Sequence, residues 1–117
     1  MSEAVTPLNG ARFEGLATIA DAGLTGMITL RGDLSSAEVK TAVQNATGLD
    51  IPAQRQALSG QGTAALWMSP DELLLICAYD SVAETIATLE EALKGQHFLA
   101  VNVSDARTYL HVSGAGA

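Results

Sequence analysis

The sequence has 117 residues, of which 48% are hydrophobic and 16% are charged. This length suits one domain with one core, and the charged fraction lies below the roughly 25% of an average soluble domain. Thirteen acidic residues against six basic ones give a net charge of −7, which repels a phosphate backbone and argues against nucleic acid as a partner.

Cys77 is the only cysteine, so an internal disulfide and a CxxC metal or redox motif are both excluded. Its apolar neighbours indicate a buried small side chain rather than a nucleophile. No apolar run reaches the about 20 residues that a bilayer crossing needs, and the initial stretch MSEAVTPLNGAR lacks the pattern of a signal peptide. We therefore expect a cytoplasmic protein without a membrane partner.

The first part of the chain shows little periodicity. Residues 1–20 are predicted to form an N-terminal arm, and residues 21–117 a single α+β domain. Alternating apolar residues rich in β-branched side chains predict a strand that ends near Arg31. Ser35 and Glu38 then have the spacing of a capping box, which predicts the start of a helix.

Gly48 is typical of the left-handed residue that ends a helix. Residues 50–61 are predicted to form a loop, and residues 63–68 a second strand. Ser69-Pro70 favours a turn, since proline fixes φ for a turn position. The next strand, over 73–79, is apolar at nearly every position and is expected to be buried on both faces.

A second capping box, Ser81 with Glu84, predicts a helix that ends at Gly95. Strands are predicted over 98–103 and 108–112. The order β-α-β-β-α-β plus one strand predicts an α+β, ferredoxin-like (split βαβ) antiparallel sheet with two helices on one face and an extra C-terminal strand. The other face is expected to be covered by that extra strand or by a partner chain.

The last predicted strand carries a polar stripe. Arg107, Tyr109 and His111 share one face because strand side chains alternate, and Asp105 lies in the turn before them. The stripe is either a solvated edge or an interface that receives a carboxylate or an aromatic side chain. We take Asp105, Arg107, Tyr109 and His111 as the candidate subunit interface.

Groups suited to chemistry are few. The histidine His97 follows a helix stop and fits a loop position better than a ligand position. No glycine-rich phosphate-binding motif occurs. We therefore predict no catalytic, cofactor-binding or metal-binding residue in this chain.

Three segments carry a family resemblance: GMITLRGDLS (26–35), ALWMSPDELLLI (65–76) and VNVSDARTYLHVSGAGA (101–117). Together they resemble the γ subunit of heterotetrameric sarcosine oxidase, a relative of the folate-binding aminomethyltransferase domain. The short patterns W-x-x-P-D-E and S-D-A-R-x-x-x-x-x-x-G occur in the expected order, and the resemblance runs from about Gly10 to Ala117.

The resemblance implies a non-catalytic accessory subunit that supports the oxidative demethylation of sarcosine to glycine. It implies that FAD, FMN, NAD and tetrahydrofolate are held by the α and β subunits and zinc by the δ subunit, with α as the chief partner. No cofactor would be bound by this chain itself.

Two departures from the family pattern stand out. Leu73 occupies a position where many members are expected to have an aromatic residue. The family also continues beyond Ser113-Gly114 with a helix, whereas this chain stops at Ala117. Truncation at the C-terminus is the expectation, and Ser113-Gly114 would then be the approach to that helix.

Two other functions remain open at this point. One is a stand-alone module of ferredoxin-like form that binds folate or an amino acid. The other is an independent enzyme that uses Asp105, Arg107 and His111.

Overall fold

The computed structural model describes residues 5–117, and these form two sheets and two α-helices. A single 3-10 turn (Tyr79–Ser81) precedes the second helix. In chain order the elements are β1 (Arg12–Glu14), β2 (Thr18–Asp21), β3 (Gly26–Arg31), α1 (Ala37–Thr47), β4 (Ala57–Ser59), β5 (Ala64–Ser69), β6 (Glu72–Cys77), α2 (Val82–Ala92), β7 (Leu99–Asn102) and β8 (Leu110–Ser113).

The larger sheet has the order β4-β5-β6-β3-β7, and every neighbouring pair is antiparallel. The series β3-α1-β5-β6-α2-β7 therefore has the split βαβ connectivity. This confirms the predicted α+β, ferredoxin-like class with its two helices. Strand β4 adds a fifth strand inside the segment 50–61, which was predicted as a loop.

The core lies between the helices and one face of this sheet. Ile28 of β3 and Leu75 of β6 are register partners, and both are fully buried. The next inward pair, Leu30 and Leu73, is also fully buried. Helices α1 and α2 close this layer with an apolar stripe that includes Leu89, so the apolar spacing of each helix faces the sheet.

The helix ends follow local side-chain chemistry. Helix α1 is capped by Ser36, whose hydroxyl accepts the N–H of Val39 at 3.1 Å. The prediction of Ser35 as the cap was wrong by one residue, because the Ser35 hydroxyl donates to Asp33 Oδ1 at 2.6 Å. The hydroxyl and N–H of Ser35 lower the pKa of Asp33. Gly48 ends the helix with a φ of 76°, as predicted.

The second predicted capping box is not formed. Ser81 precedes α2 but makes no side-chain cap hydrogen bond, because the chain enters α2 directly from the 3-10 turn. The Ser81 carbonyl instead accepts the hydroxyl of Thr85 at 2.7 Å. The Ser81 N–H donates to the Ala78 carbonyl at 2.9 Å, so the 3-10 turn already forms a backbone hydrogen bond at the predicted cap position.

The smaller sheet joins the two ends of the chain in the order β1-β2-β8, with both pairs antiparallel. The segment 1–20, predicted as an arm, contains β1 and most of β2, and residues 1–4 lie outside the described residues. The predicted extra C-terminal strand exists as β8, but it pairs with β2 instead of the larger sheet. Ser113 is its last residue and is followed by a turn.

Neither helix within residues 5–117 has the length and apolar character that a bilayer crossing requires.

Replacing Leu75 by alanine tests the central position of β6. The Leu75 side chain is fully buried, so Leu75→Ala is expected to lower the free energy of unfolding by about 2 to 5 kcal/mol. Leu99→Ala is the matched control: Leu99 is 52% exposed, and a change below about 0.5 kcal/mol is expected. Urea unfolding followed by circular dichroism measures both, and equal losses would contradict the assigned core.

Candidate subunit interface

The sheet face opposite the helices is apolar and only partly covered. Met27 and Leu74 on this face are nearly buried, at 4% and 7% exposed, because residues 107–110 lie beside them. Leu66 and Ile76, their register partners on the same face, are partly exposed. Together with residues 107–110 these side chains line an open groove of about 400 Å³. The chain thus covers part of the second face and leaves the rest exposed.

The exposed part extends to both sides of the groove. On β7, Leu99 and Val101 pair in register with Arg31 and Thr29 and are 52% and 39% exposed. On β5, Met68 is 39% exposed and shares a second cleft, of about 420 Å³, with Leu66. We call the whole surface the apolar trough; its residues are Met27, Leu66, Met68, Leu74, Ile76, Leu99, Val101 and Leu110.

The smaller sheet adds a further exposed apolar row. Phe13, Ile19 and Val112 are register partners across β1, β2 and β8, so their side chains share one face. Phe13 is 63% exposed and Val112 is 55% exposed. Leu110 shares this face and also lines the groove. Contiguous apolar surface of this kind is typical of an interaction site.

The predicted interface residues lie around this surface but are not all together. Asp105, Arg107 and Tyr109 line one small cleft, in which the Tyr79 hydroxyl lies 3.5 Å from Asp105 Oδ1. His111 lies on β8 instead, where its ring contacts Tyr109 edge to face with centroids 5.4 Å apart. The role of these four residues as a subunit interface stays a prediction.

The hydrogen bonds of Ser104 hold the segment that enters the groove. Ser104 is 6% exposed, and its hydroxyl accepts the Met27 N–H at 2.9 Å and donates to the Met27 carbonyl at 3.4 Å. Val103 N–H donates to the same carbonyl at 2.8 Å. Ser104 was not predicted from the sequence, although a serine shortly after a strand and before Asp105 is a turn signal.

Asp21 ties the N-terminal segment to the smaller sheet. Its carboxylate accepts the Thr6 hydroxyl and the N–H groups of Gly10, at 2.9 Å, and Gly23, at 3.3 Å. The Thr6 hydroxyl bond, followed by the Gly10 N–H bond, lowers the pKa of Asp21 below its ordinary value of 3.8. Asp21 was not predicted from the sequence, because two of its three partners, Thr6 and Gly10, lie 15 and 11 residues away.

Reactive groups do not converge on the trough. Within residues 5–117, no three His, Cys, Asp or Glu side chains are placed to share a metal ion. Cys77 is 7% exposed, and burial raises the pKa of its thiol. The thiol is therefore protonated at neutral pH, which makes it a poor nucleophile.

The fold and this surface define a small helix-on-sheet module that presents an open apolar face. Residues 31–117 match the model of the sarcosine oxidase, gamma subunit family, and the chain belongs to that family. This confirms the resemblance seen in the sequence.

A solved structure supports the same relationship. The chain superposes on a chain of the heterotetrameric sarcosine oxidase from Corynebacterium sp. U-96 in complex with pyrrole 2-carboxylate, with a TM-score of 0.73 and 28% identity. The match covers 88% of this chain and 53% of that chain, so this chain spans about half the length of its solved relative. A comparison with curated proteins gave no match.

Removing the Ser104 hydroxyl tests its structural role. Ser104→Ala leaves the buried Met27 N–H without its acceptor, and a loss of about 1 to 3 kcal/mol in the free energy of unfolding is expected. Ser113→Ala is the control, because Ser113 is exposed and its side chain forms no hydrogen bond in the described residues. Equal stability of both variants in urea would show that the hydroxyl contributes nothing.

Acidification tests the Asp21 contacts. The folded-state pKa of Asp21 is lowered, so its stabilising contribution is complete above the unfolded value and is lost as the pH falls through the folded value. Amide exchange at Gly10 and Gly23, measured by NMR, is expected to accelerate in Asp21→Asn at neutral pH. In the wild type the same protection is expected to disappear only below about pH 3.8. Unchanged amide protection of Gly10 and Gly23 in Asp21→Asn would show that the Asp21 carboxylate does not hold these two N–H groups.

Proposed function

We propose that this chain is a non-catalytic accessory subunit of a heterotetrameric sarcosine oxidase, supporting the oxidative demethylation of sarcosine to glycine. The observation that carries the proposal is the family match over residues 31–117. The structural match to a chain of such an oxidase agrees with it. A module with an exposed apolar face is what a subunit of a larger assembly requires.

The proposal assigns the chemistry to other chains. FAD, FMN, NAD and tetrahydrofolate would be held by the α and β subunits and zinc by the δ subunit. This assignment rests on the resemblance to the γ subunit, in which the cofactors belong to the other chains. The role of this chain is then to complete the assembly.

The α subunit is the proposed chief partner, with β and δ in the same complex. A cytoplasmic location is part of the proposal and derives from the sequence pattern alone. The candidate interface of Asp105, Arg107, Tyr109 and His111 is part of the proposal. In its support, Arg107 and Tyr109 line the groove of the trough, and Asp105 lines the cleft that they share with it.

Co-expression with the α, β and δ chains of the same organism tests the function. An affinity tag on this chain is expected to retain all three chains, and the complex is expected to oxidise sarcosine. The control expresses the three chains with the tag alone. A chain that elutes by itself while the other three assemble and turn over normally would contradict the proposal.

The isolated chain provides the second measurement. Calorimetric titration with tetrahydrofolate or sarcosine is expected to show no binding. Tight binding by the isolated chain would instead favour the stand-alone folate- or amino-acid-binding module.

A further inference from the structure

We infer that the apolar trough binds an amphipathic segment of a partner subunit whose apolar side is flanked by acidic side chains. The inference rests on the proposed function and names the surface and the chemistry of the contact. It depends on the shape of the trough and on the arginines at its edges.

The shape of the trough suits a polypeptide segment. Its two clefts, of about 400 and 420 Å³, share Leu66 and are both open to solvent. Exposed Val101 and Met68 extend the same surface on either side. A small molecule in such an open site would keep much of its own surface exposed to solvent. A helix or strand, by contrast, can cover the trough along its whole length.

The charges at its edges are positive although the chain as a whole carries −7. Arg107 lines the first cleft and Arg55 the second. Neither forms an ion pair with a carboxylate in residues 5–117, whereas Arg31 is held by Glu72 at 3.0 Å. The two guanidinium groups are therefore free to receive carboxylates from another chain.

Four of the thirteen acidic residues lie on the helix side of the sheet. Helices α1 and α2 carry Glu38, Glu84 and the pair Glu90 and Glu91, and these helices cover the other face of the sheet. These four charges lie away from the trough, whereas on the trough side Glu72 is held by Arg31 and Asp105 shares a cleft with Arg107. Opposite charge on the partner is expected to fix its register and speed its association.

A second copy of this chain fits the trough poorly. In a two-fold contact the same patch meets itself, which would bring the arginine-flanked edges of both copies together. Near the trough such a copy offers only Glu72, which Arg31 already holds, and Asp105. A different chain with acidic flanks is therefore the better complement.

Charge reversal in the assembled complex tests the inference. Arg107→Glu and Arg55→Glu are each expected to weaken binding of the tagged chain to the α, β and δ chains by about tenfold at low salt. The salt dependence of binding is expected to flatten. Lys94→Glu is the matched control: Lys94 is exposed, follows α2 and has no ion pair in residues 5–117. Its affinity is expected to stay within about twofold of the wild type.

An apolar variant tests the trough itself. Val101→Glu is expected to abolish co-purification, with Ala87→Glu on the exposed side of α2 as its control. Circular dichroism and thermal unfolding show whether each variant is folded. Should Val101→Glu unfold, Leu99→Glu takes its place, since Leu99 is more exposed.

A photo-crosslinking residue at position 101 identifies the occupant. A crosslink to an apolar, acid-flanked peptide of a partner subunit supports the inference. A crosslink to a second copy, or to another part of the same chain, overturns it. If the wild type binds and every trough variant binds equally well, the inference is wrong and the proposed function stands. Failure of the wild type to bind overturns both.

Discussion

Burial of β6 on both of its faces is the constraint on which the rest of the architecture depends. Leu73 and Leu75 point into the helix layer and are fully buried, while Leu74 between them points the other way and is 7% exposed. Two helices satisfy the first face. The second face needs its own cover, and residues 107–110 supply only part of it. The part of this second face that residues 107–110 leave open is the apolar trough.

The elements built from local patterns could be predicted from the sequence. Strand β3 followed from its alternation, α1 from its apolar spacing and the Gly48 stop, and β6 from its continuous apolar run. The Ser69-Pro70 turn placed β5 and β6 in one hairpin. These signals act within a few residues, so they gave the element order and with it the ferredoxin-like class.

The missing parts depend on contacts between distant residues. Strands β1, β2 and β4 have three or four residues, and none of these is buried. No hydrophobic period therefore distinguishes them from a loop. The partner of β2 is β8, from the other end of the chain. Ser104 and Asp21 gain their roles from Met27 and Thr6, which only the folded chain brings near. The trough could not be predicted either, because it depends on the register of β7 against β3.

Cys77 lies at the end of β6, and its thiol is both buried and protonated. It is the only sulfhydryl group in the sequence, so a folded chain offers no ready partner for thiol–disulfide exchange. A complex that binds this chain through these residues is therefore expected to hold it by non-covalent contacts and not by a disulfide. The stability of such a complex would depend on ionic strength and on the concentration of its chains. The redox potential of the glutathione pool would have little influence on it.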